Sequence, residues 1–216
     1  MKEGKSFYLQ HACAYTREGI DFILRELSND LGLKISSDSV DLQSRAYHLW
    51  QNKDVDFFIL GLQGNGYSYG TILDIIINQL PLYHPQAKVV IMAQANSIGR
   101  LKHYLSGLRN VITVLDYAIS IEDLRKYLQA LVTDSLEIAP RKQQATPLTY
   151  QEIKVLRHLL KGMPVLKVAR TLEINQKTVS GHKRSALNKL GIPSLHGLMK
   201  CGNDTHMMNE LLRGDV

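Results

Sequence analysis

The sequence predicts an α/β protein in which a doubly wound, parallel, five-stranded sheet is followed by a separate all-α domain. Three observations lead to this fold class. Short apolar segments alternate with helix-like segments between residues 6 and 133, which is typical of a parallel sheet with helices on both faces. Two of these segments, FFIL and VVIM, are apolar at every position, as strands buried on both faces are. After residue 147, apolar residues recur at helical spacing instead.

The elements of the first domain can be assigned in order from this alternation. Strands are predicted at Ser6–Gln10, Leu33–Ser36, Phe57–Leu62, Lys88–Ala93 and Val111–Leu115. Helices are predicted at Arg17–Leu31, Leu42–Gln51, Tyr69–Leu82, Ile98–Leu108 and Ile121–Thr133. The polar stretch Glu137–Pro147 is bracketed by prolines and is predicted to be a linker. We therefore divide the chain into a sheet domain at 1–134, a linker at 135–147 and a helical domain at 148–216.

Charge is distributed unevenly between these domains. Residues 1–140 contain 13 Lys and Arg against 15 Asp and Glu, whereas residues 141–216 contain 13 against 5. The net charges are therefore −2 and +8. A basic module on a near-neutral one indicates a polyanionic partner, most often nucleic acid. A basic face that serves only solubility remains the alternative at this point.

Several classes of protein are disfavoured by the sequence. No apolar run reaches the roughly 20 residues of a membrane span, and the N-terminus lacks the pattern of a signal peptide. The two cysteines, Cys13 and Cys201, are far apart and fit a reduced cytoplasm better than a disulfide or a metal site. The glycines after the third predicted strand match no phosphate-binding loop pattern. We expect a cytoplasmic protein without a membrane segment, metal, cofactor or catalytic site.

The helical domain carries specific signals for helix ends. Thr149 and Glu152 form a capping box before an apolar helical face, and Gly162 can supply the left-handed stop of that helix. Pro164 fits the first turn of a second helix, whose apolar stripe is Val165, Val168, Ala169 and Leu172. Asn175 is a plausible N-cap for a third helix after a tight turn. Two short helices joined by such a turn form a helix-turn-helix.

The third helix has a basic, polar face opposite its apolar one. Its small residues Ser180 and Gly181 permit close approach to a major groove, and Arg184 can pair bidentately with a guanine edge. Lysines on this helix suit phosphate contacts. The candidate DNA-binding residues are Lys177, Thr178, Ser180, Gly181, Lys183, Arg184 and Lys189. A three-helix module with a merely solvated charged face is the alternative.

At these residues the sequence resembles the LuxR/FixJ-type DNA-binding domain. The resemblance rests on Leu148–Glu152, Val165–Leu172 and Lys177–Gly191, and KTVSGHKRSALNKLG is especially similar to the Rcs-type capsule regulators. It implies a four-helix module that binds double-stranded DNA as a dimer, with Ser194–Cys201 as the fourth helix. Ser180 and Gly181 stand where many relatives have larger residues, so the preferred DNA sequence does not transfer.

The first domain resembles a receiver domain whose chemical positions have changed. HACAYTREG is similar to the receiver pattern D-D-H-x-x-x-R-x-G, and DFFILGL is similar to D-x-x-x-x-D-L. The resemblance places His11 and Ala12 at the Mg²⁺-binding acidic pair and Gly61 at the phosphoacceptor aspartate. It places Ala93 at the hydroxyl position and Tyr117 at the lysine position. Glycine has no side chain to phosphorylate, so the domain is interpreted as a degenerate receiver. His11 could be pH-sensitive or anion-facing, although an ordinary loop histidine is favoured.

The resulting hypothesis is a DNA-binding transcription regulator controlled by abundance or a partner rather than by phosphorylation. A ligand-sensing regulator that binds a small molecule or nucleotide in its first domain remains possible, as does an adaptor acting mainly through heterodimerisation. The resemblance implies a homodimer, or a heterodimer with another response regulator. Candidate contacts in such a dimer are Tyr104, Leu108, Leu124 and Leu128, with Tyr117 nearby, although the same residues could belong to the core.

Overall fold

The first domain is a five-stranded, all-parallel sheet, as the alternation predicts. The computed structural model describes residues 4–40, 54–62, 66–136 and 145–196, without the side chains at 40, 66–68 and 95–100. The strands are β1 Gly4–Gln10, β2 Lys34–Val40, β3 Phe57–Leu62, β4 Lys88–Ala93 and β5 Val111–Asp116. They are ordered β2-β1-β3-β4-β5, so the order reverses at the β1/β3 junction. The predicted helix Leu42–Gln51 and residues 137–144 of the predicted linker lie outside the described residues.

Among the described residues, helices follow β1, β3, β4 and β5. Those of the sheet domain are α1 Ala14–Leu31, α2 Gly66–Asp74, α3 Leu80–Tyr83, α4 Ala95–Ser106 and α5 Ile121–Val132. Between α2 and α3 the chain forms a π-helical segment, Ile75–Gln79, so the single helix predicted at Tyr69–Leu82 is a composite. The Asp74 carboxylate accepts hydrogen bonds from the side chains of Asn78 at 2.8 Å and Gln79 at 2.9 Å beside this segment.

Both faces of the sheet are buried. Tyr8, Phe58 and Leu60 belong to a hydrophobic cluster with residues of α2 and α4, whereas Phe7, Phe57 and Ile59 belong to a cluster with α1 and α5. All six residues of β3 are buried, because β3 lies at the centre of the sheet and is covered on both sides. The continuous apolar run that predicted this strand therefore has its expected cause.

The second domain contains three helices within the described residues: α6 Tyr150–Leu160, α7 Val165–Thr171 and α8 Gln176–Leu190. Both halves of the capping box between Thr149 and Glu152 are formed. Gly162 has φ +79° at the end of α6, as predicted. Pro164 is the N-cap residue of α7 rather than part of its first turn. The predicted fourth helix, Ser194–Cys201, extends beyond the described residues.

The two domains pack on one another, chiefly through α2 and α6. Ile153, Leu156 and Leu160 of α6 join the hydrophobic cluster of the sheet domain. Arg157 donates to the nearly buried Asp74 carboxylate at 3.0 Å. Gly70 permits this approach, because a Cβ there would lie 3.0 Å from Cγ of Arg157 and 3.2 Å from its Cα. The Leu148 N–H donates to the Tyr104 hydroxyl at 3.0 Å.

The candidate dimer contacts require correction. Tyr104, Leu108, Leu124 and Leu128 are between 1% and 9% exposed and lie in the core clusters of the protomer. The side chains predicted as an external surface are therefore internal, because the apolar faces of α4 and α5 are turned towards the sheet. Within the described part of the chain, no helix is long and apolar enough to span a membrane.

Candidate nucleic-acid interface and the C-terminal edge of the sheet

Helix α8 divides into a buried face and an exposed polar face. Val179, Ala186 and Leu190 are buried and hold the helix against the rest of the protein. The exposed residues on the other side are Lys177, Gly181, Arg184 and Asn188, which follow one another at intervals of three or four residues. Because residues at this spacing share one side of a helix, their side chains form a continuous surface along α8. We call these four residues the α8 face.

The turn before α8 determines where this helix begins. Glu173 adopts φ +56°, which reverses the chain between α7 and α8. The Asn175 side chain then accepts hydrogen bonds from the Thr178 N–H at 2.7 Å and the Thr178 hydroxyl at 2.9 Å. This N-cap satisfies a backbone donor that would otherwise have no partner in the helix. The Thr178 hydroxyl, one of the predicted DNA contacts, is thus already used in the cap.

Lys189 has a different environment from the other predicted contacts. Its ammonium group donates to the Glu152 carboxylate at 2.8 Å and to the Pro147 carbonyl at 3.2 Å. Ser185 also donates to Glu152, at 2.6 Å. Burial by itself would raise the pKa of Glu152, but the hydrogen bonds from Lys189, Ser185 and the Thr149 N–H lower that pKa to about 2. Lys189 therefore joins α8 to α6 within the domain rather than extending from the α8 face.

The charge around the α8 face is strongly positive. Residues 148–196 contain nine Lys and Arg against two Glu, a net charge of +7, and Glu152 is buried. Within the described residues neither Lys177 nor Arg184 forms an ion pair. Two further exposed cations, Lys167 and Arg170, lie on α7. Neither residue was predicted from the sequence as a DNA contact, although both lie beside the apolar stripe of α7.

The residues assigned to the altered receiver positions meet at the C-terminal edge of the sheet. The His11 ring, after β1, lies against Gly61 of β3, and a Cβ on Gly61 would overlap this ring. The same ring contacts the Tyr117 ring edge-on, with centroids 5.2 Å apart and planes at 74°. The Tyr117 N–H donates to the Ala93 carbonyl at 3.2 Å. His11, which was favoured as an ordinary loop histidine, is instead 3% exposed.

Three of the residues at this edge of the sheet carry no side-chain oxygen. They are Ala12, Gly61 and Ala93, and Mg²⁺ requires oxygen ligands. Among the described residues, no group of three His, Cys, Asp or Glu side chains is arranged to hold a metal ion. The Tyr117 hydroxyl and Nε2 of His11 are buried and have no hydrogen-bond partner within that part of the chain. Burial raises the pKa of the Tyr117 hydroxyl, so this group remains protonated.

Comparison with known families identifies the helical domain. Residues 146–201 match the model of the family described as bacterial regulatory proteins, luxR family. The helical domain is a luxR-family domain. In the curated Fimbriae Z protein of Salmonella typhimurium, 41% of 49 aligned residues are identical. That alignment covers 23% of this chain and 23% of the relative.

Solved structures resemble the chain over nearly its whole length. RcsB from Salmonella enterica serovar Typhimurium, bound to promoter rprA with phosphomimetic BeF₃⁻, has a TM-score of 0.52 at 16% identity and covers 92% of this chain and 98% of that one. A complex of the two-component response regulator RcsB with DNA has a TM-score of 0.50 at 21% identity, covering 92% and 97%. At these identities the likeness establishes the fold alone: a receiver-like domain followed by the luxR-family domain.

The luxR-family domain presents some of the predicted DNA contacts better than others. Lys177, Gly181 and Arg184 are exposed, whereas Thr178, Ser180 and Lys183 are partly buried. An ideal Cβ on Gly181 would meet no atom within 4 Å, so the surface there is open to a close neighbour. The arrangement offers a convex helix with a guanidinium, an ammonium and little side-chain bulk between them. Such a helix has the shape and charge to enter a major groove.

Proposed function

We propose that this protein is a DNA-binding transcription regulator that places α8 in the major groove of double-stranded DNA. The observation that carries the proposal is the α8 face, which is exposed, basic and part of a luxR-family domain. Arg184 is assigned to a guanine edge, and Lys177 and Lys183 to phosphates. Lys167 and Arg170 on α7 are added as phosphate contacts, and Lys189 is assigned the structural role of pairing with Glu152.

In this proposal the regulator is not controlled by phosphorylation. Gly61 offers no nucleophile, and the His11 ring occupies the space that a side chain at position 61 would need. Control therefore comes through the amount of the protein or through a partner. The proposed regulator acts in the cytoplasm as a dimer, with a second copy or with another response regulator. The dimer must use residues other than Tyr104, Leu108, Leu124 and Leu128, because these are core residues.

The groove contact can be tested with a matched pair of glycine substitutions. Gly181 on α8 and Gly19 on α1 are both helical, and an added Cβ would meet no atom within 4 Å at either site. Both Gly→Ala changes should stabilise the protein by about 0.5–1 kcal/mol through helix propensity. If α8 approaches the groove closely, Gly181→Ala should weaken DNA binding while Gly19→Ala leaves it unchanged. Equal affinities of the two variants for a promoter fragment, measured by fluorescence anisotropy, would reject the proposed docking.

Base recognition by Arg184 is a separate test. Arg184→Ala should weaken binding to a specific promoter by roughly 1–3 kcal/mol and reduce discrimination between sequences. Lys177→Ala should instead weaken binding to all sequences and lower the slope of log K against log salt by about one. Arg109→Ala, at an exposed arginine of the sheet domain, is the control and should change neither quantity. An Arg184→Ala loss that is equal on every sequence would make Arg184 a phosphate contact.

The absence of phosphoryl transfer also has a direct test. Incubation with acetyl phosphate and Mg²⁺ should add no phosphoryl group, because position 61 is glycine. Intact-mass spectrometry would detect an adduct. An aspartyl phosphate anywhere in residues 1–134 would overturn the proposed mode of control while leaving the DNA-binding proposal standing.

A further inference from the structure

His11 occupies a position where α/β sheets usually bind ligands. It directly follows β1, and its ring lies against Gly61 of the neighbouring strand β3. In open parallel sheets, ligands bind outside the carboxyl ends of the strands at the point where strand order reverses, which here is the β1/β3 junction. The buried His11 imidazole therefore occupies the position at which this fold usually has its ligand-binding crevice.

The hydrogen bonds of the ring fix its protonation state. The Cys13 N–H donates to Nδ1 of His11 at 3.0 Å, so Nδ1 uses its lone pair and the neutral ring carries its hydrogen on Nε2. Nε2 is buried and has no acceptor among the described residues. A proton added at Nδ1 would end the bond from Cys13 N–H. The Cys13 carbonyl, 3.3 Å from Nδ1, would then become the acceptor.

The surroundings of the ring disfavour a positive charge. From α1, the Arg17 guanidinium donates to the His11 and Ala12 carbonyls, so a cation already lies beside the ring, and Cys13 is the N-cap of that helix. After β5, Tyr117 presents a neutral ring, and β3 presents Gly61, which has no side chain. Burial lowers the pKa of His11 by more than the Cys13 carbonyl raises it, and the charge of Arg17 lowers it further.

We propose that the His11 imidazole is a proton-sensitive plug, seated between Gly61 and Tyr117 when neutral and expelled from that site in mild acid. The plug is neutral in the seated state, and one proton bound at Nδ1 drives the change. No other reactant is needed. The inference is independent of DNA binding.

The sign of the pH effect follows from linkage. The folded pKa of His11 lies below the unfolded value of 6.5, so the unfolded chain binds more protons in the interval between them. Stability is therefore complete above pH 6.5 and falls as the pH decreases towards the folded pKa. Within that interval the equilibrium constant for unfolding should rise by up to about tenfold per pH unit on account of this one group.

The experiment compares full-length wild-type protein with His11→Asn and His103→Asn between pH 7.5 and 5. Asparagine at 11 retains an acceptor for the Cys13 N–H but does not titrate in this range. His103 is exposed on α4 and is the control. Urea midpoints should fall with acidification in the wild type and in His103→Asn, and should fall much less in His11→Asn. An equal fall in all three proteins would overturn the proposal.

A second measurement decides the matter if His11→Asn does not fold. In wild-type protein, NMR of the histidine rings should give His11 a pKa below 6.5. Acidification should lower the amide protection factors of residues 11–13 and 57–62, which are measured relative to the intrinsic exchange rate at each pH. His103→Asn serves to assign the exposed ring. A His11 pKa at or above 6.5, or unchanged protection factors in these segments across its titration, would reject the plug.

Discussion

Glu152 and His11 are both 3% exposed, but one of these buried ionisable groups is charged and the other is neutral. Glu152 receives hydrogen bonds from the Thr149 N–H, Ser185 and Lys189, and its pKa is lowered to about 2 despite burial. His11 receives one, from the Cys13 N–H, and stays neutral. The difference shows that the number and charge of the partners, rather than the depth of burial, determine whether a buried group keeps its charge.

The largest expected effect is the loss of the charged member of this comparison. Glu152→Ala removes the partner of Lys189, Ser185 and the Thr149 N–H together, so the unfolding free energy should fall by about 3 kcal/mol or more. Chemical denaturation with a probe in the second domain would measure it. Glu18→Ala, at an exposed position of α1, is the control and should lie within about 0.5 kcal/mol of wild type. A Glu152→Ala loss below 1 kcal/mol would mean that the three donors find water instead.

The acid dependence of the same glutamate sharpens the comparison with His11. The folded pKa of Glu152 is about 2 against 4.5 unfolded, so its contribution is complete above pH 4.5 and is lost as the pH falls towards 2. The His11 contribution should begin to fall at pH 6.5, above the interval in which Glu152 loses its contribution. Urea midpoints measured from pH 7.5 to 2.5 should therefore begin to fall before Glu152 titrates. Glu152→Gln should reduce the decline below pH 4.5 and leave the decline that begins at pH 6.5, and loss of both would show that the groups are coupled.

The close contact at His11 can be tested by a double-mutant cycle. Gly61→Ala places a Cβ where the His11 ring now lies and should destabilise the protein by about 1–3 kcal/mol through overpacking. In a His11→Ala background the same change should cost little, because the space is vacant. Gly19→Ala, in open space, should show no coupling to His11→Ala. Additive costs at positions 11 and 61 would indicate that the neighbouring backbone, not the ring, opposes a side chain at 61.

The two regions also differ in how much of them the sequence predicts. The Thr149–Glu152 capping box and the Asn175 cap follow from short local patterns, and both form. The strands Phe57–Leu62 and Lys88–Ala93 were bounded correctly, because apolar runs covered on both faces have clear ends. By contrast, the packing of His11 on Gly61 joins residues 50 positions apart, and no local pattern encodes it.

The remaining differences arise where one pattern permits two environments. An amphipathic stripe predicts that Leu124 and Leu128 are covered but not by what, and here the covering element is the protomer's own sheet. A lysine on a polar helix face predicts exposure, but Lys189 is close enough to Glu152 to pair with it. The π-helical segment beside Asp74 accompanies a contact to Arg157, 83 residues away, which a window of sequence does not contain.

The smallest expected effects come from two buried tyrosines, whose hydroxyl groups should differ in their contribution to stability. The Tyr104 hydroxyl accepts a hydrogen bond from the Leu148 N–H. Burial raises the pKa of this hydroxyl to about 12. The Tyr117 hydroxyl has no partner within the described residues. Tyr104→Phe should cost about 1 kcal/mol, since it leaves a buried N–H unsatisfied, whereas Tyr117→Phe should be neutral or slightly stabilising.

Denaturant midpoints of the two Phe variants, measured side by side, distinguish these cases with the same chemical change in each. If Tyr117→Phe costs as much as Tyr104→Phe, a water or a segment of chain outside the described residues satisfies the Tyr117 hydroxyl. The edge beside His11 would then be hydrogen-bonded as fully as the junction beside Glu152, and the contrast between the two regions would disappear. If Tyr117→Phe is stabilising, the Tyr117 hydroxyl of the wild-type protein is a buried polar group without a partner next to the proposed plug. That cost would favour expulsion of the His11 ring when it gains a proton.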